Sequence, residues 1–155
     1  MDMQARQAVK DRLRAYGAIR YEMQQIEQQI RELEDDCGLP KAQQLDGMPR
    51  SSGRGATVQE AWAIKKEALL ELYRQQHNRS VDALHQVEQM LTTLESPRER
   101  ALLRAKYLEG RTWEEVCVVM SYSWRQAHRI HSAALAHLVE AERGEQDGGV
   151  NDCSR

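Results

Sequence analysis

The sequence predicts an all-α protein in which a long N-terminal helical hairpin or coiled coil precedes a head of shorter helices. Three observations favour this fold class. Apolar residues recur at helical spacing along most of the chain, and helix-start signals precede several of these stretches. Only 5% of the residues are aromatic, with no Phe, whereas 30% are charged. Such a composition suits extended helices with narrow apolar seams better than a thick globular core.

The first long helix is predicted over residues 4–36. Its seam consists of apolar residues seven apart and a second set three positions after the last three of these: Val9, Tyr16, Met23 and Ile30, then Ile19, Ile26 and Leu33. This a/d pattern, sustained over almost four heptads, is typical of a coiled coil. At about 1.5 Å per residue the helix would be roughly 50 Å long, so it needs a packing partner.

A flexible loop is predicted at about residues 37–56, because Gly, Ser and Pro are frequent after Pro40. Arg50 and Arg54 in this loop are interpreted as linker residues, with contact to a phosphate or to a protein partner as the alternative. A second long helix is predicted from Thr57 to about Leu94, with a polar interruption at residues 76–80. The long loop favours an antiparallel hairpin within residues 1–94 over a parallel intermolecular coiled coil. A homodimer formed through the long helices is compatible with either arrangement.

Three shorter helices are predicted between Ser96 and Leu138. The first opens with Ser96-Pro97-Arg98-Glu99, which combines a cap, a proline at the first helical position and a capping glutamate, and it ends at Gly110. The second opens with the capping box Thr112-Trp113-Glu114-Glu115 and is expected to bury Val116, Val119 and Met120. The third opens at Ser123 and carries apolar residues on one face: Ala127, Ile130, Ala134, Leu135 and Leu138. A short helix, a tight turn and a longer helix with an arginine near its start form the layout of a DNA-reading helix-turn-helix.

Five runs in this segment carry a family resemblance. They are Glu99-Arg100-Ala101-Leu102-Leu103, Tyr107-Leu108-Glu109-Gly110, Thr112-Trp113-Glu114-Glu115-Val116, Tyr122-Ser123 and Ala134-Leu135-Ala136-His137-Leu138. Together they resemble region 4 of bacterial sigma factors (a sigma-70 region 4-like domain), and the variant is similar to the RinA- and ArpU-type late-gene transcription regulators of phages. The resemblance implies a DNA-binding domain over residues 96–143 that contacts promoter DNA, with RNA polymerase as a further partner. Nothing in the chain resembles the sigma-factor domain that melts the −10 element.

Nine residues are the predicted DNA-binding set: Arg111, Thr112, Ser121, Ser123, Trp124, Arg125, Gln126, His128 and Arg129. Arg125 and Arg129 are four apart on one helix face and are expected to contact guanine or phosphate. Gln126 is interpreted as an adenine contact or as a capping residue, and His128 as a further groove contact. Trp124 is expected to pack on a sugar, on a thymine methyl group or on the preceding turn. The remaining four stand at helix starts or in the turn, where amides and hydroxyls face phosphates, although capping alone explains the hydroxyls.

Other functional classes find little support. Cys37, Cys117 and Cys153 form no C-x-x-C pair, which indicates a reducing compartment without a disulfide framework or a zinc site. The histidines and carboxylates lack the spacing of a metal site or of a catalytic constellation, so neither an enzyme nor a cofactor is expected. No apolar stretch approaches the roughly 20 residues that a membrane span needs. The predicted location is the cytoplasm of a bacterial host cell, and residues 144–155 are predicted to be a disordered tail.

The charge pattern permits DNA binding without demanding it. The net charge is −2, but residues 97–143 carry eight basic and six acidic side chains, a local net charge of +2. The sequence therefore predicts a sequence-specific DNA-binding transcription regulator, a phage or prophage late-gene activator that acts at a promoter with RNA polymerase. Two alternatives remain open: a small terminase-like component of DNA packaging, and a protein–protein adaptor that has lost DNA binding.

Overall fold

The computed structural model of the protein describes residues 2–36 and 58–148. Within these residues the chain forms helices and no strand, which confirms the predicted all-α class. The helices are α1 (Asp2–Asp35), α2 (Val58–Thr92), α3 (Pro97–Leu103), α4 (Trp113–Met120) and α5 (Trp124–Gly148), and a π-helical turn (Arg104–Leu108) continues α3. The predicted loop with Arg50 and Arg54, and the cysteines at 37 and 153, lie outside the described residues. No helix in the described ranges is long and apolar enough to cross a membrane.

The chain divides into two compact units, one of which spans Tyr21–Asn78. In this unit α1 and α2 run antiparallel. The indole nitrogen of Trp62 donates a hydrogen bond to the carbonyl oxygen of Leu33 at 2.8 Å, and the Tyr73 hydroxyl donates to Glu27 at 2.8 Å. The partner number on α1 falls as the residue number on α2 rises, which is the pairing of an antiparallel hairpin. The predicted hairpin is therefore confirmed within this unit.

The other unit combines α1 up to Arg20 with the chain from Arg79 onward. Its core draws side chains from all five helices: Val9 and Leu13 of α1, Val87 and Leu91 of α2, Leu102 and Leu103 of α3, Val116 of α4, and Ala134, Leu135 and Leu138 of α5. A buried aliphatic side chain of this size stabilises the fold by about 1.5–3 kcal/mol. The predicted domain boundary at residue 95 therefore cuts through a shared core, because the ends of the long helices pack with the head.

The buried face of α1 includes a residue near its N-terminus that the predicted seam lacks. Leu13 is buried, with no exposed surface. The neighbouring Arg12 is outside the core, and its guanidinium pairs with the carboxylate of Glu142 at 2.6 Å. Leu13 is buried because α1 packs here on a core of several helices, which covers a wider face than the single partner of a coiled coil does.

The start of α3 differs from the predicted capping box. Ser96 occupies the cap position, but its side chain makes no capping hydrogen bond. Glu99 is buried and accepts a hydrogen bond from Nδ1 of His137 at 2.9 Å, so its carboxylate does not reach back to the helix start. The side chain of Arg100 instead donates to the carbonyl oxygens of Leu94 and Glu95.

The first helix of the head ends where the sequence predicts, whereas α5 extends further than predicted. The first helix stops at Gly110 as predicted, where the backbone takes a φ of +71° that favours glycine. At the other end, α5 continues through Gly148, so residues 144–148 of the predicted disordered tail are helical. The rest of that tail, residues 149–155, lies beyond the part of the chain that the structure describes.

We expect Leu13→Ala to lower the free energy of unfolding of the head by about 2–5 kcal/mol, because the substitution opens a cavity in a closed core. Urea unfolding followed by near-ultraviolet circular dichroism of the head tryptophans measures this. Met3→Ala is the matched control on the same helix, since Met3 is 83% exposed and its loss should change stability by less than about 0.5 kcal/mol. A head that unfolds at the wild-type urea concentration in Leu13→Ala would contradict the shared core.

Candidate nucleic-acid interface

The candidate interface begins at the turn between α4 and α5. Helix α4 opens with the predicted capping box: Oγ1 of Thr112 accepts a hydrogen bond from the amide of Glu115 at 3.3 Å, and the Glu115 carboxylate accepts one from the amide of Thr112 at 2.8 Å. The helix ends at Ser121, whose φ of +56° reverses the chain direction. The amide of Tyr122 bonds to the carbonyl oxygen of Cys117 at 2.9 Å. Three residues thus connect two well-defined helices.

The packing of α4 leaves part of its predicted apolar face in solvent. Val116 is buried, and Trp113, Cys117 and Met120 pack partly against the core. These four residues follow helical spacing and together form the face of α4 that meets the core. Val119, which was expected to be buried, is therefore 57% exposed, beside Val118 at 78%.

Helix α5 opens at Ser123, whose Oγ accepts a hydrogen bond from the amide of Gln126 at 3.2 Å. Its predicted apolar face is confirmed: Ala127, Ala134 and Leu138 are buried, and Ile130 packs partly against the core. The opposite side of the first two turns is exposed at Trp124, Arg125 and Arg129.

Four of the predicted residues meet at one surface. Ser123, Arg125, Gln126 and Arg129 line a shallow depression of about 370 Å³. Over the described ranges neither guanidinium forms an ion pair, in contrast to Arg104, which is held by Glu88 through two bonds of 2.7 Å. Two cations without a carboxylate partner, on one side of a helix start, can bind an anion or the acceptor edge of a base.

Trp124 and His128 form a second row of side chains, beside the row of Arg125 and Arg129. The His128 ring packs on two indoles, with its centroid 4.2 Å from that of Trp113 and 4.8 Å from that of Trp124. Its Nε2 atom is buried without a hydrogen-bond partner. The His128 ring thus packs on both indoles, and its role as a groove contact stays a prediction. Trp124 remains 53% exposed.

The residues at the start of α4 have intramolecular partners. The guanidinium of Arg111 pairs with Glu109 at 2.5 Å, and this hydrogen bond raises the pKa of Arg111. The Arg111 carbonyl oxygen accepts a hydrogen bond from Lys106 at 2.9 Å. The hydroxyls of Thr112 and Ser123 cap helices, as the simpler interpretation predicted. Ser121 lies exposed in the turn. A phosphate at Arg111 would therefore have to displace Glu109.

A buried polar pair, Tyr107 and His131, joins the π-helical turn to α5. The Tyr107 hydroxyl lies 2.9 Å from Nε2 of His131, and both side chains are largely buried. Burial lowers the pKa of His131 to about 4, with smaller effects from Lys10, His128 and Lys106. The histidine is therefore neutral near pH 7 and shares a hydrogen bond with the Tyr107 hydroxyl. No local pattern predicts this pair, since its partners are 24 residues apart.

No group of three or more His, Cys, Asp or Glu side chains in the described part of the chain is arranged to hold a metal ion. Comparison with protein-family models, with curated proteins and with solved structures found no match.

We expect stability to fall as the pH is lowered from about 6.5 to 4.5 because of His131. The unfolded chain binds a proton on this histidine below about pH 6.5, whereas the folded chain does so only below about pH 4. The unfolded state thus binds more protons in this window, and the free energy of unfolding should drop by on the order of 1–2 kcal/mol after allowance for solvent screening. Urea unfolding at several pH values measures the drop. His131→Gln should flatten this dependence and His85→Gln, at an exposed site, should preserve it; equal slopes in both variants would contradict the explanation.

Proposed function

We propose that the chain is a sequence-specific DNA-binding regulator of transcription that inserts the first turns of α5 into the major groove. The observation that carries the proposal is the exposed pair Arg125 and Arg129, without carboxylate partners in the described ranges, next to Ser123 and Gln126 at the start of a helix that follows a tight turn. Arginine pairs with N7 and O6 of guanine through two hydrogen bonds, and glutamine pairs with adenine in the same manner. The residue types therefore match the acceptor and donor patterns of the major groove.

Contacts to the DNA backbone would set the register of the helix. The first-turn amides of α5 have no partner within the helix, apart from the Gln126 amide that Ser123 caps. Such amides bind phosphate oxygens at helix N-termini. The exposed Ser121 hydroxyl in the turn adds a further donor. Sequence choice would then rest on Arg125, Gln126 and Arg129, while the amides and hydroxyls position the protein.

The regulatory part of the proposal rests on the resemblance to sigma-factor region 4. It implies activation of late phage or prophage genes at a promoter, with RNA polymerase as a direct partner, in the cytoplasm of a bacterial cell. A homodimer formed through the long helices belongs to the same proposal, because Ile64 and Leu72 of α2 are 68% and 41% exposed. A small terminase-like role in DNA packaging would require a ring-shaped oligomer, which light scattering detects.

An adaptor that binds protein is the second candidate, and one observation favours it. Val118 and Val119 are exposed on α4, next to the exposed carboxylates of Glu114 and Glu115. An acidic and apolar surface attracts a basic, apolar protein segment and repels phosphate. The regulator would contact DNA through α5, whereas the adaptor would contact a protein through α4.

We expect Arg125→Ala and Arg129→Ala each to weaken binding to a selected DNA site by about 1–3 kcal/mol, since each removes a bidentate base contact. The site is obtained from a random duplex pool by the wild-type protein, and affinity is measured by fluorescence anisotropy. Because both side chains are exposed, the free energy of unfolding, measured by thermal unfolding, should change by no more than about 0.5 kcal/mol. Arg98→Ala, at another exposed arginine of the head, is the matched control. Wild-type affinity in the Arg125→Ala/Arg129→Ala protein would show that this face does not read DNA.

A salt titration separates the regulator from the adaptor. Binding to random duplex DNA should weaken steeply as salt rises, because each neutralised phosphate releases counterions and lowers the logarithm of affinity by about 0.9 per logarithm of salt. Removal of Arg125 should reduce this slope by about one if the side chain contacts a phosphate and should leave it unchanged if the contact is to a base alone. No measurable binding to duplex DNA even at low salt would instead support the adaptor.

A further inference from the structure

Two rows of side chains at the start of α5 differ in chemistry. Arg125 and Arg129 form a cationic row, whereas Trp124 and His128 form an aromatic row on the adjacent face. Neighbouring residues of a helix point about 100° apart, so the rows face different parts of any groove that the helix enters. The guanidinium groups of the cationic row can donate hydrogen bonds to purine acceptor atoms. The aromatic row offers a largely apolar surface, so its contact on DNA should be an apolar group.

Trp124 is held firmly although half of its surface is exposed. Its ring lies edge-on to Trp113, with a centroid separation of 6.5 Å, and packs on His128 at 4.8 Å. His128 is in turn fixed against Trp113 at 4.2 Å. An exposed indole loses little freedom on binding when neighbouring rings already hold it, which favours a contact through its free surface. His128 is therefore a positioning residue for Trp124.

We infer that Trp124 recognises the C5-methyl group of a thymine, an inference that rests on the proposed DNA binding. The bases present hydrogen-bonding atoms along the major groove, and the thymine methyl is the apolar group among them. The indole offers an apolar surface at the first position of the helix, where groove contacts are made. Consecutive Cα atoms are about 3.8 Å apart and base pairs are stacked about 3.4 Å apart. The thymine should therefore lie within about two base pairs of the guanine that Arg125 contacts.

The same geometry determines what His128 does for specificity. Because its Nε2 atom is buried and its ring packs on the Trp124 indole, His128 is expected to act through Trp124. Loss of the ring by His128→Ala should reduce the preference for thymine at one position of the site. A merely structural role would lower affinity for every sequence alike.

The test replaces thymine by uracil, which lacks only the C5-methyl group, one position at a time in the duplex selected by the wild-type protein. We expect one thymine whose replacement weakens wild-type binding by about three- to tenfold, the value of one buried methyl group. In Trp124→Ala the ratio of the two affinities should fall to about one at that position. Each ratio compares two duplexes with one protein preparation at low salt, so loss of folded protein cancels. Trp124→Phe should retain part of the ratio, and Arg98→Ala should retain all of it.

The outcomes distinguish this inference from the proposed function. If selection recovers no preferred duplex, the proposed function fails and the inference fails with it. If a preferred duplex is recovered but uracil has no effect at any thymine, only the inference is overturned. It is also overturned if the uracil effect persists in Trp124→Ala, or if that variant loses affinity equally for both duplexes because the indole packs on a sugar.

Discussion

The rotation of α5 about its own axis is fixed by the burial of one face, and the candidate interface depends on this constraint. Ala127, Ala134 and Leu138 lie in a core to which all five helices contribute. Because alanine is small, α5 can approach its neighbours closely at two of these positions, and a turn of the helix by one residue would carry its apolar face out of the core. Arg125, Arg129 and Trp124 are therefore directed outward by packing on the opposite side. The long N-terminal helices are part of the site in this sense, since Val9 and Leu13 close the same core.

Polar contacts add specificity to this packing at the cost of burying titratable groups. His131 is kept neutral by burial and forms a hydrogen bond with the Tyr107 hydroxyl, which satisfies two polar groups at once. Glu99, also buried, bonds to His137 and raises the pKa of that histidine. The pKa values of the two histidines thus shift in opposite directions: burial disfavours the charged form of His131, whereas the carboxylate favours that of His137. Both pairs tie α5 to the segment between Glu99 and Tyr107, so the helix that presents the arginines is anchored at more than its apolar face.

Local patterns predicted the helices because each depends on neighbours in sequence. For this reason the sequence predicted the capping box at Thr112, the stop at Gly110 and the buried face of α5. Features that depend on distant residues were missed or wrong. The burial of Leu13, which the predicted seam lacks, reflects the number of helices around α1, and the exposure of Val119 reflects how much of an eight-residue helix the core covers. Likewise, Glu99 bonds to a partner 38 residues away instead of taking the predicted capping role, and His128 packs on Trp113 of the preceding helix, a contact that no spacing within α5 predicts.

Net charge is a weak guide to nucleic-acid binding in this chain, because the position of each pair matters more than the sum. Arg104 and Arg111 are neutralised by Glu88 and Glu109, so they add little to the field around the head. Arg125 and Arg129 lie apart from these pairs and meet at one depression. The head carries a small net positive charge, and non-specific affinity grows with the number of phosphates that are neutralised. If the chain binds DNA as proposed, discrimination between sequences would come from contacts at short range. Such a protein would occupy sites chosen by hydrogen bonds and shape rather than coat DNA through charge.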